Sequence, residues 1–201
     1  MGILEKLFIK KDNKQVVERF HDSGETKTTV KFHDGKGLYE KFYENGQLEE
    51  RCDVKDGTWN GFGETFFENG QLKGRSNFKE GVPDGLCESF YENGNLSVRE
   101  NWKNGKKNGL SQTFYENNQW LLWWRGNNKN GKEHGIWECF DEDSNLTTTI
   151  EYEDGEPISE TVFGYHENGQ LSFKGNTKNG EMDGLCKWYY ENGELKSRVN
   201  F

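Results

Sequence analysis

The residues here with chemical potential are four histidines, four cysteines and a recurring glutamate. His21 and His166 precede the acidic residue of a hairpin turn, and His33 and His134 lie in glycine turns. No His-x-x-x-His or His-Glu-x-x-His pair occurs, so a metal site is not expected and neither is a cofactor. Glu44, Glu68, Glu92, Glu116 and Glu191 form a regular series, one beside each turn. It reads as a set of solvated turn carboxylates rather than an acid–base pair. No nucleophile elbow, P-loop or dinucleotide fingerprint is present. Gly-x-x-x-Gly recurs between strands rather than at a strand–helix junction, which reads as a turn motif and not a phosphate cradle. Cys52, Cys87, Cys139 and Cys186 contain no Cys-x-x-Cys pair and read as reduced packing residues of a cytoplasmic protein. The expectation is a binding protein without catalytic residues, not an enzyme.

The sharpest irregularity is Gln119-Trp120-Leu121-Leu122-Trp123-Trp124-Arg125. Trp120 is aligned here with the Leu of the other units. The interval to Gly131 is two residues longer than that from Leu96 to Gly105, which predicts a bulge or a longer turn. Trp120, Leu122 and Trp124 are expected on one face, with Trp123 and Arg125 on the other and Trp137 in the next strand. Trp and Arg dominate interface hot spots. Two readings stay open. One is a local thickening of a thin core; the other is a partner-binding patch of Trp120, Trp123, Trp124, Arg125 and Trp137, joined by Tyr91 and Tyr115.

These residues are positioned by a repeat. Phe90-Tyr91-Glu92-Asn93-Gly94-Asn95-Leu96 returns as Phe42–Leu48, Phe66–Leu72 and Tyr189–Leu195, with weaker copies at Phe114–Trp120, Phe140–Leu146 and Tyr165–Leu171. The period is about 24 residues, the mark of a repeat architecture. Asn-Gly between apolar runs signals hairpins whose two turn positions need positive φ. Between the copies lie paired glycines, Gly57/Gly61, Gly81/Gly85, Gly105/Gly109, Gly131/Gly135 and Gly180/Gly184, most followed by an apolar residue. Leu72, Gly74, Ser76 and Phe78 alternate with Lys73, Arg75 and Asn77, a period of two. Leu86, Glu88 and Phe90 share one face of the next strand, Cys87, Ser89 and Tyr91 the other.

The predicted fold is all-β: an elongated single-layer antiparallel sheet of tandem β-hairpin repeats with up to about 17 strands. Residues 1–29 form a degenerate N-terminal capping repeat and 30–201 the repeat array. Leu4–Lys10 is a leading strand or a short helix, with a basic flank at Lys6, Lys10, Lys11 and Lys14.

Hydrophobic residues make up 31% of the chain and charged residues 30%, which suits a thin sheet better than a thick core. The net charge of −9 argues against direct nucleic-acid binding, which draws on Lys and Arg. It suits a basic protein partner reached by electrostatic steering. No apolar run is long enough to span a membrane.

The unit Phe-Tyr-Glu-Asn-Gly-Gln-Leu followed by Lys-Asn-Gly-Lys-x-x-Gly-Leu resembles the MORN-repeat variant, most clearly at Lys103–Leu110 and Lys178–Leu185. The likeness is good over residues 30–201 and weak over 1–29. Asn118 and Ser144 depart from it at turn glycines, and Ser159 at a second glycine. The resemblance implies protein binding, as in bacterial antitoxin or immunity-like proteins. It points to occlusion of a basic toxin or nuclease-type effector, with a phage-encoded inhibitor of the same kind as a variant. The alternative it implies is a structural or membrane-associated scaffold, and an edge-paired dimer stays open.

Overall fold

The computed structural model describes residues 15–20, 26–33, 36–117 and 121–201. The expectations for Leu4–Lys10 and its lysines, and for Asn118, lie outside them. The chain divides into two compact units, residues 1–106 and 107–201. In the first are β1 (Gln15–Phe20), β2 (Thr26–His33), β3 (Lys36–Phe42), β4 (Leu48–Lys55), β5 (Thr58–Phe66), β6 (Leu72–Lys79), β7 (Val82–Phe90) and β8 (Leu96–Lys103). In the second are β9 (Lys106–Phe114), β10 (Leu122–Lys129), β11 (Lys132–Phe140), β12 (Leu146–Glu153), β13 (Glu156–Tyr165), β14 (Leu171–Lys178), β15 (Glu181–Met182), β16 (Leu185–Tyr189) and β17 (Leu195–Asn200). Within each unit the strands pair antiparallel in chain order, except that β15 and β16 both pair with β14. The described residues form strands and turns throughout, as the all-β hairpin-repeat expectation requires.

Two turn types alternate as expected, but positive φ at both positions belongs to the glycine-pair turns and not to the Glu-Asn-Gly turns. At Asp56–Gly57, Asn104–Gly105 and Asn130–Gly131 both residues have positive φ, the geometry that matches the twist of a two-residue hairpin. In the Glu-Asn-Gly turns only the glycine does: Gly46 is at φ 81, and its N–H donates to the Tyr43 carbonyl at 3.0 Å. Asn45 keeps an ordinary φ, and its Oδ1 accepts the Gln47 N–H at 2.9 Å. Asn serves this turn through its side chain rather than its backbone. Ser144 holds the left-handed position at φ 67 where the other turns have glycine, and the turn closes in the same way.

The second glycines are not turn residues. Gly61, Gly85 and Gly109 lie inside β5, β7 and β9 at φ 131, 118 and 107. The pairing of β4 with β5 slips there between Cys52 and Val54. Gly61 and Gly85 make bulges, and β5, β7 and β9 run past their glycines to nine residues instead of stopping.

In each unit one face of the strands is packed. In the first unit Tyr39, Cys52, Gly63, Ser76, Cys87 and Glu100 follow one another across the strands. Small residues in the middle let aromatic rings lie down over them. Phe78 covers Gly63 and meets Trp59 edge-on at 4.9 Å, and Trp59 and Tyr39 pack on buried Val54. The second unit repeats the device: Trp137 covers Gly126, and Phe173 covers Gly175. A single-layer sheet has no second layer to bury against, so the rings supply one. Burial also pushes the Cys52 thiol up to about 12, which suits a packing role and not a reactive one.

Candidate functional site

The opposite face carries charge. In the first unit Glu40, Arg51, Glu64, Arg75, Glu88 and Arg99 stand opposite one another on successive strands, acid and base in strict alternation. Arg51 Nε donates to Glu64 at 2.6 Å, Arg75 Nε to Glu88 at 2.5 Å and Arg99 Nε to Glu88 at 2.8 Å. In the second unit the ladder is shorter, with Arg125 Nε donating to Glu138 at 2.5 Å. The guanidiniums also cover the turn-flanking phenylalanines: Arg51 over Phe66, Arg75 over Phe90 and Arg125 over Phe140. Cation and ring attract through the ring quadrupole. The ladder of the first unit is balanced, so that unit's surplus negative charge sits elsewhere, at exposed turn residues such as Glu44, Glu68 and Glu92.

Beside the ladder stand residues that the sequence pattern marks, as the apolar position after each second glycine, but to which it assigns no binding role. Phe62 and Leu86 in the first unit, and Leu110, Ile136 and Leu185 in the second, all follow the second glycine and all are exposed. Phe62 keeps 45% of its surface and Ile136 61%. Their cross-strand neighbours are polar: Phe62 opposes Asn77, Leu86 opposes Asn101, and Ile136 opposes Glu151. The available signal was the apolar residue after each second glycine, here expected simply as part of the strand pattern.

The tryptophan cluster is divided by the fold. Trp120 lies outside the described residues. The predicted alignment of Trp120 with the repeat leucine is corrected. Leu122 pairs with Phe114 as Leu72 pairs with Phe66, and the Tyr115 N–H donates to Leu121 where Tyr43 uses Gln47. The two extra residues therefore fall in the turn after Tyr115. The bulge is common to the repeats, since the pairing skips Lys73 and Trp123 alike. What is special is the residue there: Lys73 lies over Phe67, whereas exposed Trp123 lies against Tyr115 at 6.3 Å. Trp124 is half-buried on Trp137 at 5.6 Å on the packed face, and Trp137 is 6% exposed with its Nε1 donating to the Asn127 carbonyl. Arg125 stands on the charged face. The structure thus brings together Trp124 with Trp137, and Trp123 with Tyr115, but not the four as one patch.

Tyr115 also has a structural task, because its hydroxyl donates to the Phe140 carbonyl at 2.8 Å, 25 residues on. Tyr43 does the same to Phe66 at 2.8 Å and Tyr165 to Leu146 at 2.8 Å; the His166 Nε2 contacts the Tyr189 carbonyl at 3.0 Å. Each ties one hairpin to a neighbour. Burial and adjacent carboxylates push the Tyr43 hydroxyl above its ordinary value, so it stays a donor. Tyr43→Phe is expected to cost about 1 kcal/mol of stability in denaturant titration, the net worth of one such bond. Tyr91, in the first unit, closes its own turn: its N–H donates to Asn95 and its carbonyl accepts from Gly94.

The described residues form a repeat of stacked hairpins that presents side chains from both faces. The comparisons agree on the class. The model of the MORN repeat variant matches residues 36–56, 63–80, 83–104, 133–154, 161–179 and 182–201, more than half of the chain. The chain belongs to the MORN repeat variant family, and it is a repeat protein of the kind that binds proteins or membrane lipids. None of the curated proteins matches it. Among solved structures, TarM is similar at 16% identity with a TM-score of 0.34, over 49% of this chain and 20% of that one. A mutant of S. aureus TarM in complex with fondaparinux, alpha-GlcNAc-glycerol and UDP gives 15% identity and the same TM-score, over 48% and 21%. The chain thus spans about a fifth of those proteins, and a likeness at this level carries no argument.

Proposed function

We propose that the chain is a non-catalytic inhibitor of the antitoxin or immunity type, acting in the cytoplasm by covering a basic surface of a toxin or nuclease-type effector. The observation that carries this reading is the exposed apolar row. Scattered exposed apolar residues are ordinary. Phe62 and Leu86, or Leu110, Ile136 and Leu185, recur instead at one repeat position, beside charges that are already paired among themselves. A face of this kind offers apolar anchors without leaving its own ions to be desolvated alone. The net charge of −9 and the exposed turn carboxylates favour encounter with a basic partner. Trp123 adds an aromatic anchor, and four free cysteines suit a reducing compartment.

The test is pulldown from the native host, followed by calorimetric titration of the recovered protein at rising salt. Binding should weaken as salt rises, and Phe62→Asp with Ile136→Asp should weaken it about tenfold or more. Their unfolding midpoints should stay near that of the parent, because both side chains are exposed. Association with anionic vesicles, but with no basic protein, would replace this reading with the membrane-associated scaffold.

A further inference from the structure

We propose that Asn179 is a modification site, where the Gly180 peptide nitrogen attacks the Asn179 side-chain amide and the tip of the β14–β15 hairpin becomes aspartate and isoaspartate. The chain has many Asn-Gly pairs at turn tips, so local sequence alone does not distinguish them. Their glycine nitrogens do. In the Glu-Asn-Gly turns that nitrogen is engaged: Gly46 donates to the Tyr43 carbonyl at 3.0 Å and Gly169 to the His166 carbonyl at 2.9 Å. In the two-residue turns it reaches the preceding hairpin, Gly105 to Pro83 at 2.9 Å and Gly131 to Lys107 at 2.8 Å. Among the described residues, no hydrogen bond holds the Gly180 N–H.

The hairpin beneath that tip is also the most interrupted of its type. Lys178↔Glu181 and Thr177↔Met182 pair before the register slips, as two pairs do in the β4–β5 and β6–β7 hairpins, but here pairing resumes only at Lys174↔Lys187. β15 is two residues long, both exposed, and Asp183 and Gly184 separate it from β16, whereas β7 and β11 run unbroken past their bulges. Asn179 at φ 55 shares the left-handed conformation of Asn104 at 49 and Asn130 at 55, so what separates it is how readily the tip opens to bring its Cγ to the next nitrogen. Weak pairing lowers the cost of that local opening.

The step balances without an oxidant or reductant. The Gly180 nitrogen forms a bond to Asn179 Cγ and gives its proton to water. The Cγ–Nδ2 bond breaks as the departing nitrogen takes a proton back from water, and ammonia leaves, closing a succinimide. Water then opens either side of the ring, returning an aspartate or an isoaspartate. A new carboxylate appears between Lys178 and Glu181, and the isoaspartate form adds a methylene to the main chain inside a two-residue turn.

The experiment is peptide mapping by mass spectrometry of the full folded chain, sampled during incubation at neutral pH, with a denatured sample in parallel. In the folded chain Asn179 should convert up to about tenfold faster than Asn104 and Asn130, a ratio equal to ~1.4 kcal/mol. In the denatured sample the three rates should converge, since only sequence is left to set them. Equal rates in the folded chain, or Asn104 or Asn130 converting first, would overturn the proposal.

Discussion

Replacing Gly126 with alanine is expected to lower the unfolding free energy by about 3 kcal/mol, the upper end for forcing volume into a packed site. A Cβ there would lie 2.1 Å from Cδ2 and 2.3 Å from Cγ of Trp137, well inside contact distance. The indole has little room to yield. It is 6% exposed, packed between tilted Trp124 at 5.6 Å and edge-on Tyr152 at 6.3 Å, and fixed by its Nε1 bond to the Asn127 carbonyl. Denaturant titration of the variant reads the loss directly. Because each repeat rests only on its neighbours, hydrogen exchange should show the loss concentrated in β10 to β12. Trp137→Ala is itself costly, about 3–5 kcal/mol for an aromatic truncation. Adding Gly126→Ala to it should cost almost nothing further, since the clash has gone. A double variant whose losses simply add would mean that Gly126 is not the floor of the ring.

The fate of Gly126 also marks where sequence reasoning stops. Hairpins, their period and the alternation within strands were legible, because each rests on residues close in the chain. Arg75 and Asn77 are exposed and Gly74, Ser76 and Phe78 half-buried, as the period of two requires. That Trp137 lies over Gly126 depends on the direction in which a ring leans across to a neighbouring strand, which spacing does not encode. The two extra residues near Trp120 could be placed on either side of the repeat leucine; only the bond from Tyr115 to Leu121 assigns them to the turn. Paired glycines looked like one turn, yet a positive φ is needed for two different reasons, a hairpin tip at Gly57 and a bulge at Gly61. The charge ladder was hidden for a similar cause. Glu64, Arg75 and Glu88 are unremarkable along the chain and become a row only when register sets them opposite one another.

Within that ladder, Glu88→Gln is expected to cost about 2 kcal/mol at neutral pH, less than the loss for a fully buried pair because its partners are half exposed. Glu88 is 4% exposed, and its two oxygens are shared between guanidiniums, Arg75 at 2.5 Å on Oε2 and Arg99 at 2.8 Å on Oε1. Burial alone would push its carboxyl up. Hydrogen bonds from Arg75 and Arg99, together with their charges, outweigh that and hold it below its ordinary value. The folded chain therefore binds this proton more weakly than the unfolded chain does. Its contribution is complete above the unfolded carboxyl value, about 4.3, and fades as pH falls through the lower folded value. The gap between parent and Glu88→Gln in unfolding free energy should accordingly be constant from neutral pH down to about 5 and narrow below that. Glu64, whose carboxylate is more exposed, serves as the comparison: Glu64→Gln should cost less than Glu88→Gln. If the two variants lose equally, or if the gap at Glu88 widens in acid, the doubly held carboxylate is not what stiffens this face.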